Sequence, residues 1–209
     1  MPVFRSQGSL IYFAHIPKTG GSSVENALTA AGAKRAMQMS KVKNDLAGHG
    51  KCTPQHIHAE VYTRYFPKGF FDYAFTIVRN PFARIASEYK MKVLNGKEEA
   101  SPDIWITQAL NRFEKAPFTR DNHIRPQVDF LAPYVDVFKL EVGLKQPIDK
   151  ALEVLGLPGI SKIPHARRST AEKLVIKKKT LQQISTTYAQ DFETLNYETG
   201  SYNAFFEIR

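Results

Sequence analysis

The chain has 209 residues, 43% of them hydrophobic and 23% charged, which suits one globular domain and excludes wholesale disorder. A single cysteine, Cys52, excludes an internal disulfide and a cysteine-built metal site, and no apolar run approaches the ~20 residues of a bilayer span. Lys and Arg number 29 against 20 Asp and Glu, and the resulting +9 favours anionic partners: nucleic acid, acidic polysaccharide, a membrane surface or a multiply charged nucleotide.

The first element is the apolar run Leu10–Ala14, which reads as a buried strand. A polar, glycine-containing turn follows, and Ser23–Ala31 reads as a helix closed by Gly32. Residues 33–55 are polar, basic and weakly periodic, as in a long loop or lid. Gln55–Tyr65 is ambiguous, and a short strand leading into a helix fits it. Tyr73–Val78 is the second buried strand. Asn80-Pro81 then starts a helix with proline at its first position, and Asn95-Gly96 stops it after Leu94. Asp103–Lys115 has helical spacing, and Asp121–Leu131 suggests a short helix interrupted near Pro126. Val135–Leu140 alternates and reads as a third strand. Pro147–Leu155 is a helix ending at Gly156, Ser161–Thr170 a basic loop, and Leu181–Phe192 a last amphipathic helix. No repeat or low-complexity tract interrupts this order. Strands alternating with helices predict one α/β domain over residues 1–209 with a mainly parallel sheet.

The segment His15-Ile-Pro-Lys18-Thr19-Gly20-Gly21-Ser22-Ser23 sits between strand and helix, where helix amides favour anions. Gly20 and Gly21 let the backbone approach a phosphate, Thr19, Ser22 and Ser23 add hydroxyls, and Lys18 supplies a mobile positive charge. The order is not that of a Walker A loop, in which the lysine follows the second glycine. A glycine turn with an incidental lysine is the bland alternative. The motif resembles the 5′-phosphosulfate-binding loop of the sulfotransferase superfamily, in its carbohydrate branch with the heparan sulfate 2-O-sulfotransferases. That resemblance implies a P-loop NTPase-like three-layer fold and 3′-phosphoadenosine 5′-phosphosulfate (PAPS) as co-substrate.

A second anion signal is Arg79-Asn80-Pro81-Phe82-Ala83-Arg84-Ile85-Ala86-Ser87-Glu88-Tyr89, at another strand-to-helix junction. The planar fork of Arg79 suits bidentate phosphate contact, and Ser87 lies about two turns into the helix. The pattern resembles the family's R-[DN]-P-x-x-R-x-x-S-x-Y motif, which implies that Arg79 and Ser87 bind the 3′-phosphate. Arg84 either joins them or pairs with an acid. Asn80 stands where Asp is more common and still caps the helix.

Sulfuryl transfer needs a positioned donor, charge stabilisation on the leaving phosphate and a group that takes the acceptor proton. Lys18 is the natural stabiliser, and no Mg²⁺ clamp is required. The base candidates are His49, His56, His58 and Glu60. If Gln55–Glu60 is extended, His56, His58 and Glu60 share one face. The H-x-H pattern resembles that of the 2-O-sulfotransferases, which implies His58 as base and His56 as helper or acceptor contact. Glu60 is the alternative, since other branches use a glutamate; packed or surface histidines are the plain reading. A metal is not expected, because no third ligand stands at recognisable spacing. Downstream, Pro164–Thr170 resembles a loop closing over the nucleotide, which implies that Arg168 and Thr170 reach its phosphates.

Golgi members of the family carry an N-terminal membrane anchor. This chain shows neither anchor nor signal peptide, so the expectation is a compact cytoplasmic, bacterial version with a carbohydrate or other hydroxyl acceptor. Two rivals differ in class. A P-loop-like kinase would need the Walker order and a Mg²⁺-holding carboxylate. A polyanion-binding module rests on the +9 charge, but no nucleic-acid recognition motif accompanies it.

Overall fold

Two apolar runs set the sheet. In the computed structural model, which describes residues 2–37, 52–96, 99–163 and 172–209, they are β2 (Ser9–Ala14) and β4 (Tyr73–Val78). The chain forms two compact units: Met1–Val78 with Asp129–Ala166, and Arg79–Val128 with Arg167–Arg209.

The first unit holds a five-stranded sheet in the order β3-β1-β2-β4-β5, with β1 at Val3–Ser6, β3 at Lys34–Ala36 and β5 at Asp136–Lys139. β2 pairs in parallel with β4, and β4 with β5. β1 pairs antiparallel with both β2 and β3, so it alone runs against the other four. The alternation of β2 and β4 splits the core. Ile11, Phe13, Phe75 and Ile77 face helices α1 (Gly21–Ala30) and α5 (Lys145–Val154). Tyr12, Ala14 and Ala74 face Tyr62 of α2 (Ala59–Tyr65) on the other side. This is the expected α/β layering, helices on both faces of a mainly parallel sheet.

The second unit packs α3 (Pro81–Leu94), α4 (Pro102–Lys115), α6 (Lys178–Thr187) and α7 (Ala189–Thr194) around Phe82, Trp105, Ile106, Tyr188 and Phe192. A two-stranded parallel sheet, β6 (Leu174–Ile176) with β7 (Phe206–Ile208), closes it. Asp103, in the first turn of α4, accepts from Lys177 N (2.8 Å) and Thr180 Oγ1 (2.6 Å), tying α4 to the start of α6. Burial pushes the Asp103 carboxyl up, but these hydrogen bonds and the Lys177 charge outweigh it and hold its pKa below the usual range.

Several expectations need correction. The N-terminal hairpin was not visible in the pattern: its turn is Gln7-Gly8, both at positive φ (48° and 90°), with the Gln7 side chain fastened to Gly156 O (2.8 Å). The suggested helix over Asp121–Leu131 is two short 3₁₀ turns, Thr119–Asn122 and Val128–Phe130. Arg120, Asp121 and Asn122 take left-handed φ values of 52°, 56° and 62°, which a right-handed helix cannot continue. Leu181–Phe192 is not one helix either. α6 and α7 meet at Tyr188, whose hydroxyl donates to Ile124 O (2.8 Å).

Candidate functional site

In the first unit, β2 ends at Ala14 and the chain turns through residues 15–20 into α1. Parallel strands present their carboxyl ends, and the helix that follows, to ligands. The helix begins at Gly21, two residues earlier than the sequence suggested, so Ser22 and Ser23 belong to its first turn. Its N-cap is Gly20, which has no side chain to occupy the first amides. The Gly20 φ of +89° favours glycine, and a Cβ there would press against Leu140 Cδ1 at 3.0 Å.

Lys18 also lies in the left-handed region, with φ of 71°. Non-glycine residues are rarely held there, and such strain gathers at functional sites. Thr19 is fully buried, and its hydroxyl donates to Ile16 O (2.9 Å), so the side chain braces the loop from within. Ser22 is exposed and Ser23 buried.

Below the loop lies a network that the sequence did not reveal. His15 Nδ1 donates to Glu25 in a short buried hydrogen bond. The other Glu25 oxygen accepts from Arg35 of β3 (3.0 Å), and Gln55 Nε2 donates to the first (3.0 Å). Burial pushes the Glu25 carboxyl up, yet these donors outweigh it and hold its pKa below the usual range.

The expected base cluster is only partly assembled. Pro54–His56 is a 3₁₀ turn and helix α2 starts at Ala59, so His56, His58 and Glu60 do not share a strand face. His56 is buried, and its Nδ1 donates to His15 O (3.0 Å), which leaves Nε2 as the basic nitrogen of the neutral ring. His58 is 3% exposed at the N-cap of α2, with Nε2 3.8 Å from Glu60. The Glu60 side chain is 72% exposed and paired with Arg64 (3.0 Å). His49 lies outside the described residues, as do Arg168 and Thr170.

In the second unit, Asn80 caps α3 as expected, accepting from Phe82 N (3.0 Å) and Ala83 N (3.4 Å). Arg79 and Ser87 are half-buried. The Gln127 side chain grips the Arg79 backbone at both ends: Oε1 accepts from its N–H (2.9 Å) and Nε2 donates to its carbonyl (2.8 Å). Gln127 is itself held by Asp191, which accepts from Gln127 N and Val128 N, each at 2.9 Å. Burial raises the pKa of Asp191.

Arg84 donates to backbone carbonyls rather than to an acid. It is 2% exposed, donates to the carbonyls of His123 (3.3 Å) and Arg125 (2.6 Å), and lies over the Tyr188 ring. Lys90, three residues beyond Ser87 on α3, was missed. Partial burial lowers its pKa, and the Arg79 charge acts in the same direction against Glu172. Lys90 Nζ donates to the Glu172 carbonyl (2.5 Å). An R-x-x-S motif followed by a lysine one helical turn later was the available signal.

A family model described as "Sulfotransferase family" matches residues 2–198. No curated protein and no solved structure matches the chain.

Proposed function

This chain belongs to the sulfotransferase family, and from that premise we propose that it is a PAPS-dependent enzyme acting on a carbohydrate hydroxyl. The observation that carries the donor assignment is the loop after β2, where a left-handed Lys18 precedes a helix whose N-cap is a bare glycine. The residues present fit such a donor. Gly20 leaves the start of α1 without a side-chain cap, the first amides of α1 would donate to the 5′-phosphate, and Lys18, Arg79 and Lys90 would supply positive charge. Thr19 contributes by shaping the loop, Gly21 and Ser22 by their helix-terminal N–H groups, and Ser23 by its hydroxyl, since its N–H already donates to Gly20 O (2.9 Å). Arg79, Ser87 and Lys90 read the 3′-phosphate, and Arg168 and Thr170 belong to the same reading.

PAPS supplies a sulfuryl group already bonded to a good leaving group, the 5′-phosphate. Lys18 neutralises the charge that gathers on the phosphate oxygen as its bond to sulfur breaks. An imidazole accepts the proton of the acceptor hydroxyl as that oxygen bonds to sulfur from the opposite side. We assign this imidazole to His58, with His56 as helper. A second reading gives the base to His56, and its hydrogen bond to His15 O favours it, because that bond fixes the tautomer.

The test is transfer from ³⁵S-labelled PAPS to a panel of desulfated polysaccharides. Label enters a polymer in the wild type, and Lys18→Ala lowers the rate roughly 10²–10³-fold. Equal transfer by the variant overturns the role of Lys18. A wild type that binds adenosine 3′,5′-bisphosphate but labels no polymer overturns the carbohydrate assignment.

A further inference from the structure

One buried carboxylate joins three parts of the first unit. Glu25 of α1 is 2% exposed and accepts from His15 of the phosphate loop, Gln55 of the 3₁₀ turn and Arg35 of β3. A buried carboxylate with a full set of donors is seldom more stabilising than an apolar residue of similar volume, so stability alone does not account for it. The geometry at Gly21 supplies another reason. Gly21 and Glu25 stand one turn apart on the same face of α1. The His15 ring lies across that face: Nδ1 bonds Glu25, and a Cβ on Gly21 would fall 2.2 Å from Nε2. The helix therefore offers its bare residue to one side of the ring and its carboxylate to the other. His15's own carbonyl accepts from His56 (3.0 Å) and Gln55 donates to Glu25 (3.0 Å), so the turn that carries His56 is fastened at two points, to His15 and to Glu25.

We propose that Glu25 is a positioning residue. It fixes the His15 ring, through that ring the start of α1 and the shape of loop 15–20, and through Gln55 the placement of His56 relative to that loop. The inference rests on the donor reading above. It adds that one carboxylate keeps the donor loop and the candidate proton acceptor in register.

The test is calorimetric titration with adenosine 3′,5′-bisphosphate and, separately, adenosine 3′-monophosphate. Glu25→Gln keeps the size of the side chain and removes its charge. It weakens the bisphosphate about tenfold through the misplaced loop and leaves the affinity for the 3′-monophosphate unchanged. Gly21→Ala also weakens the bisphosphate, because the held ring cannot yield. The double variant loses less than the sum of the two, since the freed ring can then move. Unchanged bisphosphate affinity in Glu25→Gln overturns the proposal, as does equal loss of both ligands, which marks a general effect on folding. If Glu25→Gln does not fold, Gly21→Ala decides alone, and unchanged bisphosphate affinity there also overturns it. A wild type that does not bind the bisphosphate sinks the donor reading and this inference with it, whereas failure of the variants alone leaves the donor reading intact.

Discussion

Which side chains can do chemistry is decided by their surroundings more than by their type. Glu60 and the two histidines stand within five residues of chain, yet only the histidines are buried. The Glu60 carboxylate is 72% exposed and shares an i,i+4 pair with Arg64, an arrangement that solvent screens. His56 and His58 are nearly enclosed, and His56 has its tautomer set by a backbone carbonyl. Replacing either histidine by alanine is expected to lower sulfuryl transfer by ~10²–10⁴-fold, the usual range for general base catalysis. Glu60→Gln should change it by less than about threefold, in keeping with a screened surface pair. Initial rates of label transfer check this, and a Glu60→Gln loss equal to that of the histidine variants would return the base to the glutamate. The loop after β2 shows the same principle. Thr19 carries a hydroxyl suited to phosphate, but the loop turns that hydroxyl inward onto Ile16.

At the scale of elements, what the sequence revealed depended on how local the cause was. Tyr73–Val78 lies between two parallel neighbours and is apolar on both faces except at Thr76, whose hydroxyl donates to Ala14 O (2.6 Å), and this largely apolar run marks it as a strand. The α3 boundaries follow from Asn80-Pro81 and Asn95-Gly96, whose capping chemistry is written in adjacent residues. β6 and β7 were not legible, because each is three residues long and exists only by pairing with a strand about thirty residues away. The Glu25 network was hidden for the same reason: residues 15, 25, 35 and 55 carry no spacing that links them.

The grip on Arg79 is a further case. No spacing in the chain links Gln127 to Arg79, yet its amide bonds the Arg79 N–H and carbonyl. Gln127→Ala removes the two bonds to the Arg79 backbone and the Gln127 Nε2 donation to Asp191 Oδ2 (3.3 Å). It should cost about 1–3 kcal/mol of unfolding free energy, the usual penalty for stranded polar groups. It should also weaken adenosine 3′,5′-bisphosphate binding. Denaturant unfolding and calorimetry measure the two effects, and a loss of stability without loss of affinity would mean that Arg79 does not depend on this clamp.

At the scale of the molecule, the excess of nine positive charges has two competing uses. As a diffuse field it would attract any long polyanion, with affinity that falls steeply in salt. As a set of placed cations it would select one small ligand with phosphates at defined ends. Lys18 is held at φ 71° on its loop, and the Arg79 backbone is held by Gln127 at the start of α3. Each unit has its own core to hold them: Phe13, Val24, Phe75 and Ile148 beneath the loop, and Phe82, Ile85 and Trp105 beneath α3.

The most direct measurement is thermal unfolding with adenosine 3′,5′-bisphosphate, against ATP with Mg²⁺, for the wild type and Arg79→Ala. At about 100 times its dissociation constant the bisphosphate should add roughly 2.7 kcal/mol, a rise of roughly 5 to 10 °C for a chain of this size. The account predicts that rise with the bisphosphate alone and its loss in Arg79→Ala. No rise, or a rise only with ATP and Mg²⁺, would contradict the PAPS assignment and favour a kinase.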